Sequence, residues 1–114
     1  MQPTACNNTL DYGKKSFDQL IQESEKPVFV DFWAAWCGPC TSVSPSIKRL
    51  AREFQEKLTV VKINVDEQPE VAAKYQVQGI PALVLFDKGT IKWRATGALP
   101  YEHIRAEVIK SLGI

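Results

Sequence analysis

The chain has 114 residues, 45% of them hydrophobic, and fourteen Lys plus Arg against thirteen Asp plus Glu leave a formal net charge of +1. At ~100 to 200 residues per domain this is one unit, and a near-neutral balance argues against a general nucleic-acid binder, which carries a basic stripe. No apolar run approaches the ~18 to 20 residues of a spanning helix, and Met1 to Thr9 lack a basic-then-apolar signal segment, so the chain is expected to be soluble and not secreted.

Residues 1–13 read as a loose N-terminal segment, with Thr9 to Tyr12 a possible short edge strand, ahead of a single domain over 14–114. Ser16-Phe17-Asp18-Gln19 has capping-box spacing, and Phe17, Leu20 and Ile21 form the stripe of a short first helix that ends at Lys26-Pro27. Val28 to Trp33 follows, apolar on both alternating faces except for Asp31, as expected of a strand covered on both sides. Val43, Ile47, Leu50, Ala51 and Phe54 then recur at helical spacing from about Pro39 to Gln55, and Pro45 inside that stretch predicts a kink.

Leu58 to Val65 reads as the next strand and Pro69 to Tyr75 as a short helix, an order that implies parallel pairing. Ala82 to Phe86 is a further strand, and Asp87-Lys88-Gly89-Thr90 is the turn of a hairpin, with Gly89 free to take a positive φ. In the return strand Ile91, Trp93 and Ala95 alternate with Lys92, Arg94 and Thr96, which predicts a half-exposed edge. Pro100 opens a last helix in which Ile104, Val108 and Leu112 repeat every four residues and Ile109 widens the stripe. The fold class is α/β, a mixed sheet with helices on both faces.

Three cysteines are too few for a disulfide scaffold, and the spacing of Cys37 and Cys40 carries the information. A lone CxxC is a metal half-site or a dithiol redox pair. Zinc needs four ligands, and only Cys6 and His103 remain to complete such a set, neither in a second close pair. The redox reading has positive support, since the pair lies between a buried strand and a helix start. Residues three apart in a helix have Cα atoms about 5 Å from each other, within disulfide range. Cys37 lies before the first free amides of the helix, whose partial positive charge favours a thiolate by up to ~2 kcal/mol. Cys40, a turn inward, is expected to be the less reactive thiol, and Cys37 the accessible one.

Trp33-Ala34-Ala35-Trp36-Cys37-Gly38-Pro39-Cys40, the preceding Val30-Asp31-Phe32, the later Gly79-Ile80-Pro81 and the terminal Gly97-Ala98-Leu99 resemble the thioredoxin family in order and spacing, over about residues 16–112. The resemblance implies a five-stranded sheet flanked by four helices and a protein disulfide reductase. It implies that Cys37 attacks, that Cys40 resolves the mixed disulfide, and that Asp31 takes the proton of Cys40; a plain ion pair between Asp31 and Lys62 is the alternative for that acid. It also implies a cis bond at Ile80-Pro81 facing the cysteines, where sequence alone gives only a turn leading into the strand. Trp36, Gly79, Ile80, Gly97 and Ala98 are implied to bind substrate proteins, with Trp33 packed beneath.

Gly38, Pro39, Lys62 and Pro81 are expected to tune the site, Pro39 by fixing the first helical turn. Relatives with histidine at the Pro39 position tend to be stronger oxidants, so Gly38-Pro39 points toward a reductant. No cofactor is expected beyond the Cys37–Cys40 pair. The expected partners are disulfide-containing proteins and a thioredoxin reductase, either NADPH-flavin or ferredoxin-linked, acting on a monomer in the cytoplasm or an equivalent reducing compartment such as a stroma or matrix. Two other classes fit less well: a glutaredoxin- or isomerase-type oxidoreductase, and a partner-binding module whose dithiol is secondary. Thr41 and Ala82 depart from the residues common in the family, which bears on partner range.

Overall fold

Strands that are apolar on both faces need a cover on each side, and this chain supplies two helices to each. The computed structural model describes residues 17–113. In chain order these form α1 (Phe17–Glu23), β1 (Val28–Trp33), α2 (Gly38–Glu53), β2 (Thr59–Asn64), α3 (Pro69–Lys74), β3 (Ala82–Asp87), β4 (Thr90–Thr96) and α4 (Tyr101–Leu112). One mixed sheet takes the order β2-β1-β3-β4, with β1 parallel to β2, antiparallel to β3, and β3 antiparallel to β4. The described residues thus contain four strands where the resemblance implies five. The candidate fifth, Thr9 to Tyr12, lies outside the described residues, as do Ser16 of the capping box and Cys6.

Strand alternation sorts the core into two layers. Phe29, Val60, Leu83 and Leu85 face α2 and α4 and pack with Val43, Ile47, Leu50, Ile104 and Val108. Val30, Phe32, Ile63, Val84 and Phe86 face the other way, against Phe17 and Ile21 of α1, with Val71 and Tyr75 packed at the margin. At seven residues α1 is shorter than the ~12 to 15 that hold a helix in isolation, so packing sustains it. Its Phe17 ring stands edge-on to Phe32, Tyr75 and Phe86.

The hairpin corrects one expectation. Leu85 pairs with Trp93 but Phe86 pairs with Ile91, so Lys92 is an extra residue at a bulge. Ile91 is thereby carried to the Phe86 side of the sheet, away from Trp93 and Ala95, and is left exposed. A strict alternation read from sequence cannot anticipate this, because the inserted residue shifts every side chain beyond it by one face. Lys88 joins Gly89 at positive φ in the turn (+54° and +86°).

Candidate active site

The sheet order brings two loops to one place. β1 ends at Trp33, and antiparallel β3 begins at Ala82, which pairs with Phe32. The loop leaving β1 and the loop carrying Gly79, Ile80 and Pro81 into β3 therefore meet at the same end of the sheet. β4 ends there too, with Thr96 paired to Ala82 and Gly97 just beyond.

Cys37 is the N-cap of α2, in extended conformation, and its sulfur accepts the Cys40 amide at 3.2 Å. Pro39 fits the first turn because its missing N–H would have no partner there. Cys37 and Cys40 are joined by a disulfide with their Cα atoms 5.3 Å apart, as one helical turn predicts. The expectation of an accessible Cys37 and a shielded Cys40 is corrected: both are 5% exposed. The reason is packing, since the pair and Ala34 form one small cluster bordered by Trp33, Val65 and Ile80. The two residues are equally buried but differ in position: the Cys37 sulfur caps the helix through the Cys40 amide and lies 3.8 Å from the Ile80 carbonyl oxygen.

The Ile80–Pro81 bond is cis, and the amide of Gly97 donates to the Pro81 carbonyl at 2.8 Å. Gly97 has a φ of +110°, and a Cβ on Gly79 would stand 3.0 Å from Thr96 Cγ2, so each glycine answers a separate demand: backbone conformation in the first, close approach in the second. Trp36 is 70% exposed, Gly38 and Ala98 are exposed, and Gly79, Ile80 and Gly97 are half-buried. The Trp36 indole donates to Asp66 at 2.9 Å. Sequence reasoning missed Asp66; the available signal was Asn64, a buried polar residue at a strand end, whose side chain accepts the Asp66 amide at 2.8 Å and so sets that turn.

Asp31 is 1% exposed and lies on the α2/α4 side of the sheet. Burial pushes its carboxyl from 3.8 up to about 6, with the Lys62 charge acting in the opposite direction. Neither carboxylate oxygen is hydrogen-bonded by any described residue. Lys62 is its register partner on β2, yet the Lys62 ammonium lies over the Trp33 ring, 4.9 Å from the centroid. The alternative of a plain Asp31–Lys62 ion pair is thus not the arrangement found. Among the described residues no group of three or more His, Cys, Asp or Glu is placed to hold a metal ion. What the arrangement offers chemically is a disulfide at a helix N-terminus and a buried, proton-affine carboxyl on the strand that leads into it.

A family model described as Thioredoxin matches residues 8–110. "Thioredoxin 1" of Chlorobaculum tepidum is 60% identical over 99 residues, which cover 87% of this chain and 98% of that protein. "Thioredoxin" of Pseudomonas aeruginosa is 43% identical over 91 residues, covering 80% and 84%. "Thioredoxin M-type, chloroplastic" of Spinacia oleracea is 39% identical over 108 residues, covering 95% of this chain but 60% of that longer protein.

Proposed function

The chain belongs to the thioredoxin family, and from that premise we propose that it is a general protein disulfide reductase in which Cys37 attacks and Cys40 resolves. It is a thiol–disulfide oxidoreductase, and its chemistry is dithiol–disulfide exchange through the Cys37–Cys40 pair, which belongs to the chain itself. The observation that carries the assignment of roles is the Cys40 amide directed at the Cys37 sulfur. In the reduced chain that donor and the free amides of the helix start stabilise negative charge on Cys37, the nucleophilic form.

The Cys37 thiolate attacks one sulfur of the substrate disulfide, forming a Cys37–substrate bond as the substrate bond breaks and its other sulfur leaves as a thiolate that takes a proton. Asp31 accepts the Cys40 proton, directly or through water. The Cys40 thiolate then attacks the Cys37 sulfur, closing Cys37–Cys40 and releasing the second substrate sulfur as a thiolate, which takes up a proton as Asp31 gives back the one it accepted. Two electrons pass to the substrate, and the chain is left oxidised. Gly38, Pro39 and Pro81 hold the geometry of this step, and Lys62 acts on Asp31 through its charge. Trp36, Gly79, Ile80, Gly97 and Ala98 form the docking rim, with Ile80 offering backbone groups to an extended segment.

Regeneration falls to a thioredoxin reductase, NADPH-flavin or ferredoxin-linked, acting on a monomer in the cytoplasm or an equivalent reducing compartment. No helix among the described residues is long and apolar enough to cross a membrane. The test is capture: a Cys40→Ser variant is expected to accumulate mixed disulfides at Cys37 when challenged with oxidised insulin, and Cys37→Ala to form none. Adducts at Cys40 in the Cys37→Ala variant, with turnover retained, would reverse the roles.

A further inference from the structure

Asp31 and Lys62 face each other across the parallel β1–β2 ladder, and neither oxygen of the buried Asp31 carboxylate is hydrogen-bonded by a described residue. An ammonium on a flexible four-carbon stem beside such a group is expected to swing onto it, since a buried charge is costly until paired. It does not. The Lys62 Nζ sits 4.9 Å from the centroid of the Trp33 ring, inside the ~6 Å over which an indole face attracts a cation. Trp33 follows Asp31 by two residues on β1, so both side chains leave the same face of the sheet.

We propose that Trp33 is a positioning residue for the exchange reaction: its ring holds the Lys62 ammonium off the Asp31 carboxylate and so leaves that carboxylate open to take and return a proton. The inference rests on the proton-acceptor role given to Asp31 above. Among the described residues, Lys62 is the charged group that acts on Asp31. On β3 its partner is the apolar Leu83. From α2 the inward side chains are Cys40, Val43, Ile47 and Leu50, and from α4 they are Tyr101, Ile104 and Val108, with the Tyr101 hydroxyl given to Glu53. The charged residues of α4 nearest its start, Glu102 and His103, are exposed.

The experiment is a carboxyl NMR titration of Asp31 in the oxidised chain, where Cys37 and Cys40 do not titrate. Trp33→Leu is expected to lower the proton affinity of Asp31 about tenfold, because the freed ammonium reaches the carboxylate. In a Lys62→Met background the same substitution is expected to change it little. Equal effects in both backgrounds would overturn the proposal, since a merely structural role, such as water entering a loosened core, acts whether or not Lys62 is charged. A rise in proton affinity in the Lys62 background would overturn it as well. Trp33→Phe keeps an aromatic face and the fold under milder change, and a smaller shift of the same sign is expected from it; no shift there, or a rise, refutes the placement. If Asp31 titrates as expected in all variants while the pH profile of insulin reduction stays unmoved, the role of Asp31 in proton transfer fails and the holding of Lys62 by Trp33 stands.

Discussion

Gly97 gives its amide to the carbonyl of Pro81 at 2.8 Å, and it does so at a φ of +110° that side chains rarely tolerate. This bond ties the segment after β4 to the turn that leads into β3, on the side of the sheet where the dithiol lies. Gly97→Ala is therefore expected to destabilise the chain by about 1 to 3 kcal/mol through backbone strain. Apart from Gly97 and its two chain neighbours, no described heavy atom lies within 4 Å of the added methyl, so crowding against other segments contributes nothing. Urea unfolding measures the loss.

Gly79→Ala is expected to act by the other mechanism. Its new methyl meets Thr96 Cγ2 at 3.0 Å, and Thr96 is exposed at the end of β4. Thr96→Ser removes the contacting methyl, so the double variant should recover most of the stability lost in Gly79→Ala. The same Thr96→Ser change should not rescue Gly97→Ala. Equilibrium unfolding of the four variants separates crowding from strain.

Asp31 makes stability depend on pH in a definite direction. Its folded carboxyl, at about 6, stands above the ordinary 3.8, so the folded chain binds the proton more tightly than the unfolded one. The stabilisation is fully present below the unfolded value and is lost as pH rises through the folded one, amounting to about 3 kcal/mol at ~1.4 kcal/mol per unit. Asp31→Asn is expected to remove the decline between these two values and to be the more stable chain at neutral pH. A pH series of urea midpoints, wild type against variant, checks the sign.

Cys37 has two separable jobs, nucleophile and helix cap. Both Cys37→Ala and Cys37→Ser are expected to abolish insulin reduction with dithiothreitol as electron donor. In the absence of the disulfide, serine keeps an acceptor for the Cys40 amide and alanine does not, so Cys37→Ser should be more stable by about 1 kcal/mol. Denaturant titration under reducing conditions reads the difference against a Cys40→Ser reference.

Trp36 projects from the site while its indole N–H is anchored on Asp66. If it docks partner proteins, Trp36→Ala should raise KM for insulin severalfold and leave the reduction of a small aromatic disulfide nearly unchanged. Asp66→Asn, which weakens the anchor and retains the ring, should give a smaller change in the same direction. Parallel kinetics on the two substrates decide it.

Much of the chemistry was legible in the order of residues. Cys37 and Cys40 at helical spacing after an apolar strand fixed their separation, because a helical turn has one geometry, and an acid at position 31 inside a run of buried residues announced its own perturbation. Apolar runs at Val28 to Trp33 and Ala82 to Phe86 identified central strands for the same reason: only a sheet covered on both faces buries every residue. Tertiary structure decided what depends on groups far apart in the chain. It buried both cysteine residues to the same degree in a cluster with Ala34, Val65 and Ile80, moved Ile91 to the opposite face through a bulge, and set Asp66 within hydrogen-bond reach of Trp36. It also directed Lys62 to the Trp33 ring rather than to Asp31. Spacing along a strand or helix is a local property of the backbone, whereas a long side chain's choice between two partners, or the exposure of a sulfur, is settled only when separate segments are packed against each other.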